Sequence, residues 1–382
     1  MDKAHLIEPI RVLHVLGSLN PGGVQKWLLE VLQRADRARV QMDFLVHSGP
    51  SAYERIAEAL GARVIRGPDP RNPFAYTHGL RRILRELGPY DGIHSHVFYY
   101  SGWVLRAAAS EGVPMRIAHS HHATSLRRGR PEVLRVPYVA FMRSLIRRYA
   151  TARLSVSKQA ELALFGRVGV SARLCCGIET EPFEQRSASA DPEVKAHGGD
   201  DTFVIGHVGR LAPEKNHVFL LRVARELSSW CQPWRLLLVG SGPLQPKLRQ
   251  EARALGVEDR VCWAGNRDDV PWLLTHAMDC FAFPSLTEAL PRTLLEAQAA
   301  GLPCVVSDRV PEEVIVAPSL VRVLPLGDPR EWARAITKAR ALDRSAARSI
   351  GFAAVKNSAF TIEHGVAQLL AVYESGLRQR RC

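Results

Sequence analysis

No apolar run in this 382-residue chain approaches the ~20 residues that a bilayer-spanning helix needs, which excludes a helical integral membrane protein. The opening MDKAHLIEPIRVL also lacks the charged, apolar, small-residue order of a secretory leader, so a cytoplasmic protein is expected. Cysteine is scarce and odd in number. Of seven, Cys175, Cys176, Cys262, Cys280 and Cys304 sit in strand-like apolar runs without ligand spacing, which argues against a disulfide framework and a cysteine metal cluster. Acidic residues are missing from one half only. Up to residue 178, 26 Lys and Arg stand against 13 Asp and Glu, and beyond it 25 stand against 25, so the whole net charge of +13 belongs to the first half. That asymmetry implies an anionic partner there, a membrane surface or a nucleic acid. No zinc, homeodomain or single-strand stacking signature accompanies the basic residues, so no nucleic-acid partner is expected.

What is present is the content of a soluble globular protein, 46% hydrophobic and 23% charged, with length for about two domains. The first half repeats an apolar strand followed by a helix, which predicts a parallel sheet covered on both faces. Strands are expected at 11–16, 41–46, 63–65, 92–94, 116–119, 153–156 and 173–178, and an amphipathic helix from Val24 directly follows Asn20-Pro21-Gly22-Gly23. Residues 183–201 are polar, small and without period, which marks a linker. The boundaries that follow are 1–182 and 202–359 for two Rossmann-like domains, with a final helix over 360–382.

Chemistry-bearing residues gather where strands end. In the second half, the strand 202–208 runs into Gly209-Arg210-Leu211-Ala212-Pro213-Glu214-Lys215-Asn216. An arginine and a lysine five apart in such a loop can grip both phosphates of a nucleotide diphosphate, one as a fork and the other as a point charge. Further on, a strand over Cys280–Phe283 stops at Pro284-Ser285, and a helix from Pro291 to before Gly301 follows. Glu288 then precedes the helix and Glu296 lies within it, at the edge where parallel sheets bind ligands. Backbone amides after Glu288, in the stretch of Leu290 and Pro291 that opens the helix, would with the helix dipole attract phosphate. In the first half Gly22 and Gly23 let a backbone approach a ligand closely, and histidines cluster after two strands, His94-Ser-His96 and His119-Ser-His121-His122. Metal binding is the rival reading of these histidines; no carboxylate at ligand spacing accompanies them.

Two glutamates eight apart around A-L-P, with G-R-L-x-x-E-K-N before them, resemble the retaining family 4 glycosyltransferases of the group 1 type, such as those of exopolysaccharide and capsule biosynthesis. The family has glycine where this chain has Ala289, and most often N-G-I-D where it has Cys176-Gly177-Ile178-Glu179. The resemblance implies the GT-B fold, two facing Rossmann-like domains whose C-terminal helix crosses back to the first. It also implies metal-independent transfer of a sugar from a nucleotide diphosphate sugar, UDP-linked in our reading, to a saccharide or lipid-linked acceptor, with retention. Arg210 and Lys215 would then stabilise the leaving diphosphate with amides near Gly22 and Gly23, Glu288 would hold sugar hydroxyls, and Glu296 the ribose. The loop at Asn266 would meet the base, and an imidazole in the strand-end segment, His121 in preference to His119, would reach the transferred sugar. Between Arg127 and Arg153, eight arginines and one acidic residue alternate with bulky apolar side chains, a composition suited to lying peripherally on an anionic membrane. Nucleotide-sugar epimerase or hydrolase chemistry in a similar two-domain cleft is the enzymatic alternative.

Overall fold

Apolar runs without alternation belong to strands buried on both faces, and here they build two fully parallel sheets. The computed structural model describes residues 8–123, 132–184, 202–230 and 233–381. Most of the expected linker, 185–201, and the arginines at 127, 128 and 130 lie outside the described residues. The first sheet comprises β1 (Ile10–Leu16), β2 (Val40–Val46), β3 (Val64–Arg66), β4 (Gly92–Ser95), β5 (Met115–Ser120), β6 (Ala152–Ser155) and β7 (Ala172–Arg173), in the order β3-β2-β1-β4-β5-β6-β7. The second comprises β8 (Phe203–Val208), β9 (Trp234–Val239), β10 (Val261–Gly265), β11 (Cys280–Phe283), β12 (Cys304–Ser307) and β13 (Val321–Leu324), in the order β10-β9-β8-β11-β12-β13.

In both sheets the strand order reverses beside the first strand, between β1 and β4 and between β8 and β11. Such switch points open a crevice at the carboxyl ends of the strands. The flanking helices carry local signals. Asn72 caps Pro73–Leu87 through bonds from the Phe74 and Ala75 amides, Ser157 caps Lys158–Phe165, and Asp343 caps Arg344–Lys356. Pro137 lies inside the helix Glu132–Tyr149. Leu13, Val15, Leu45, Ile93 and Ala118 centre one core, and Ile205, Leu236, Leu238, Ala282 and Trp332 the other.

The chain divides into one unit that runs to Gly177 and resumes at Ile362, and a second from Ile178 to Thr361. The first crossing therefore precedes the expected boundary at 182. The apolar run 173–178 is not one strand, because β7 ends at Arg173 and Gly177 N bonds back to Cys175 O, which turns the chain. Ile178 then pairs with Thr361 in the second unit. The last helix, Ile362–Arg381, packs in the first unit on the helix Gly23–Arg34 and on β5. Arg34 meets Glu363 at 3.5 Å, Arg39 meets Glu374, and Tyr373 is fully buried.

Candidate active site

At the carboxyl edge of the second sheet, the loop after β8 and the loop after β11 meet. Lys215 closes a short 3-10 turn, Pro213–Lys215, and Asn216 follows in the left-handed conformation with φ 54°, so the chain reverses sharply into the helix His217–Leu227. Lys215 Nζ donates to Glu288 Oε1 at 2.7 Å and lies 4.7 Å from the Phe283 ring centroid. Both partners are mostly buried, with side chains 17% and 11% exposed, so the pair is far less screened than a surface ion pair. The Leu286 amide donates to Glu214 O at 2.8 Å and ties the two loops together.

Arg210 differs. Its guanidinium is two-thirds exposed and makes one contact of 3.3 Å to Glu214, which leaves most of its fork open to an anion. Its loop is braced from behind: Leu211 N bonds to Ser241 O and Leu244 N to Leu211 O. Gly240, at φ 129°, packs so closely that a Cβ there would strike the Gly209 carbonyl, which explains glycine at that turn.

The helix after Glu288 spans Arg292–Ala299, with Pro291 as its cap residue rather than its first residue, and it ends before Gly301 at φ 70°. Glu296 is buried on it. Of the amides expected to face a phosphate, that of Arg292 is spent on Leu290 O at 3.1 Å, and Pro291 has none. Ala289, buried in place of the family's glycine, lies outside the left-handed region, so its Cβ costs no backbone strain. Asn266 is exposed in the loop after β10, where Gly265 O accepts from Gly240 N at 2.6 Å.

The carboxyl edge of the first sheet gathers imidazoles instead. Gly22 and Gly23 are exposed at the start of the helix Gly23–Arg34, and Gly22 holds an extended backbone open to any residue. Behind them, His14 of β1 joins His94 and His96 of the β4 end and His119 and His121 of the β5 end. His14 Nδ1 contacts His96 Nε2 at 3.1 Å, His96 Nδ1 contacts His121 Nε2 at 2.8 Å, and His94 Nε2 contacts His119 Nδ1 at 3.2 Å. Tyr373 Oη bridges His94 Nδ1 at 2.8 Å and His14 Nε2 at 3.2 Å, and Cys176 Sγ lies 3.6 Å from His121 Nδ1. Both His121 nitrogens thus face protein atoms, and a sugar contact there has to displace one of them.

Burial drives His14 and His119 down to about 3, and holds His94, His96 and His121 well below the ordinary histidine value, so the cluster is neutral. Sequence reasoning missed His14 and Tyr373, and it also missed His207 and His217 beneath Lys215. His207 Nδ1 bonds to the Ala282 carbonyl at 2.8 Å, and burial lowers His217 to about 4. The one available signal for His14 was a histidine within an otherwise apolar strand, IRVLHVL.

Comparison with known proteins follows the same two units. The model of the glycosyl transferase 4-like domain matches residues 22–176, and that of the glycosyl transferases of group 1 matches residues 202–341. A Bacillus subtilis (strain 168) relative named as glycosyltransferase EpsF is 36% identical over 343 residues, which cover 87% of this chain and 88% of the relative. The chain belongs to the group 1 glycosyltransferases. Against another relative, the Escherichia coli UDP-Gal:alpha-D-GlcNAc-diphosphoundecaprenol alpha-1,3-galactosyltransferase, this glycosyltransferase is 33% identical over 136 residues, 35% of each chain. Its two Rossmann-like units have the GT-B fold. The crystal structure of Anabaena HepE in complex with UDP and glucose superposes with a TM-score of 0.77 at 19% identity, covering 96% of this chain and all of HepE.

Proposed function

We propose that the enzyme moves a sugar from a nucleotide diphosphate sugar, UDP-linked, to a hydroxyl of a lipid-linked or growing saccharide, with retention of configuration. The observation that carries this reading is the Lys215–Glu288 pair, 2.7 Å apart at the switch point of the second sheet. A diphosphate that takes over Lys215 frees Glu288 to accept sugar hydroxyls, so one pair serves both ends of the bond that breaks. Arg210, held by a single weak contact, adds its open fork as charge develops on the leaving oxygen. Glu296 holds the ribose, Leu290 and Pro291 line the phosphate approach, and the loop at Asn266 meets the base. These cations neutralise the diphosphate without a bridging metal. In the first unit, Gly22 and Gly23 offer exposed backbone at the acceptor side, and His121 contributes by exchanging Cys176 for a sugar hydroxyl. Support for UDP comes from HepE, solved with UDP and glucose, and support for a lipid-linked acceptor from the E. coli relative.

A peripheral membrane position is part of this reading. No helix among the described residues is long and apolar enough to cross a membrane. Val136 and Phe141 are 62% and 46% exposed on the helix Glu132–Tyr149, beside exposed Arg147 and Arg148. Not all of the arginines serve: Arg143 is tied to the Leu164 and Ala163 carbonyls at 3.0 Å each. The deciding experiment is diphosphate release from a panel of nucleotide sugars, with and without undecaprenyl-diphosphate saccharides. Turnover that needs both substrates is expected. Equal diphosphate release from donor alone would favour hydrolase chemistry, and donor isomerised without release would favour an epimerase.

A further inference from the structure

The five clustered imidazoles of the first unit outnumber what a sugar contact requires, and their arrangement is organised. Two overlapping sets of three, His14, His94 and His96, and His96, His119 and His121, each bring one nitrogen per residue within 4.8 Å of the others. The first set is closed, because both nitrogens of His14 and both of His94 already face Tyr373 or another imidazole. The second set is less tied. His119 is fully buried, and its Nε2 makes no well-formed hydrogen bond, its neighbouring acceptor being the Leu174 carbonyl. A buried polar atom held this loosely is uncommon. His121, beside exposed His122, is the least buried of the three.

We infer that His96, His119 and His121 form a binding site for one divalent transition-metal ion of the zinc class, with the fourth position left open. Tetrahedral zinc at ~2.0–2.1 Å from each nitrogen places neighbouring ligand nitrogens ~3.4 Å apart. His96 Nδ1 and His121 Nε2 now stand at 2.8 Å, so a small separation of the two rings admits the ion. The ligand set selects its class: imidazole suits zinc, cobalt, nickel and copper, whereas magnesium and calcium need oxygens that this cluster lacks. Metal-bound histidines need an acceptor behind the second nitrogen to fix the ring. Each of the three has its own: His14 Nδ1 behind His96, His94 Nε2 behind His119, and Cys176 Sγ behind His121.

The protons balance. With no ion, a single directed chain of hydrogen bonds can run from His119 through His94, Tyr373, His14 and His96 to His121. With the ion bound, His96 carries its proton on Nε2 and donates to His14 Nδ1, and His14 carries its own on Nε2 and donates to Tyr373 Oη. That oxygen also accepts from His94 Nδ1. Only the tautomers of His14 and His96 reverse, and no proton leaves. The site shares His121 and Cys176 with the sugar contact proposed above but no residue with the cationic grip on the diphosphate, and metal uptake is read without turnover, so its failure is distinguishable from the failure of that reading.

The test uses the full chain, tag-free, stripped with chelator and dialysed, then titrated with Zn²⁺ by calorimetry and with Co²⁺ by visible absorption. One equivalent is expected, with the intense d–d bands of tetrahedral cobalt and a higher melting temperature in zinc. His119→Gln and His121→Gln should each abolish that uptake, Cys176→Ala should weaken it about tenfold or more, and His217→Gln should leave it intact. If His119→Gln fails to fold, the rim variant His121→Gln decides alone. No stoichiometric uptake by the wild type, or uptake that survives in a folded His121→Gln, overturns the site and leaves the imidazoles as a hydrogen-bonded cluster.

Discussion

The two sheets share a winding and differ in what they hold at the switch point. Between β8 and β11 the second unit keeps opposite charges in contact, Lys215 and Glu288, with Arg210 exposed beside them. Between β1 and β4 the first unit keeps neutral imidazoles, linked to one another and to Tyr373. The topology supplies the crevice, and the side chains at the strand ends decide its chemistry. A charged pair that is mostly buried yet keeps some exposure can trade partners with an arriving anion. Buried imidazoles are hard to protonate without disrupting their surroundings, so this cluster stays neutral.

Acid should separate the two units most strongly. Six histidines of the first unit, His14, His47, His94, His96, His119 and His121, are held below their ordinary value by burial, against His207 and His217 in the second. A histidine depressed in the folded state adds nothing to pH dependence above the unfolded value of ~6.5. Below it the unfolded chain takes up protons that the folded chain refuses, so stability falls as pH drops from ~6.5 towards the folded value, about 3 for His14 and His119. Each such group costs ~1.4 kcal/mol per pH unit in that window. Hydrogen exchange on the full chain at pH 7 and pH 5, corrected for intrinsic rates, should show β1, β4 and β5 losing protection before β8, β9 and β11. Equal losses would remove the contrast.

Next in size, Lys215→Ala should lower kcat/KM by ~3–4 kcal/mol, a hundredfold or more, as for other charge-stabilising contacts in a water-poor site. Arg210→Ala should cost less, because the side chain is two-thirds exposed. A Lys215→Ala enzyme within tenfold of wild type would contradict the grip. Smaller still, Glu288→Ala should lower kcat and Glu296→Ala raise KM for the donor, each by ~1.5–3 kcal/mol, the range for hydrogen bonds to charged groups. The same split in both variants would merge the two roles. The least effect belongs to the surface: Arg147→Ala and Arg148→Ala should each weaken docking to anionic vesicles by ~1 kcal/mol, and high salt should erase the difference. Salt-insensitive partition onto neutral vesicles would count against the membrane reading.

Much of this was legible beforehand, for physical reasons. Continuous apolar runs gave the strands within a residue or two, since a strand covered on both faces tolerates nothing else. Glu288 and Lys215 stood out because charged residues at strand ends have no structural need to be there. What stayed hidden depends on distance along the chain. His14 is a lone imidazole in an apolar strand, and only its register opposite His94 reveals the cluster. The run 173–178 reads as a strand, and each of Leu174, Cys175, Cys176 and Ile178 is indeed buried, but burial came from a turn and from pairing with Thr361. The helix boundary at Pro291 was off by one, because a proline cap and a proline first residue look alike in sequence.

Tyr373 sets the order in which the molecule can be completed during synthesis. Its hydroxyl meets His94 across 279 residues of chain and His14 across 359. A ribosome adding ~5–20 residues per second finishes β1 tens of seconds before it delivers this tyrosine. Throughout that interval the second unit is made and can fold, while the first, begun earliest, waits with imidazoles lacking their partner. The nascent amino-terminal portion is thus an unfinished object by design of the chain order, open to chaperones and to any ion its histidines can capture. A circular permutant that begins at Ile362 and places the last helix ahead of β1 should shorten that wait, and its co-translational folding yield would measure how much the delay matters.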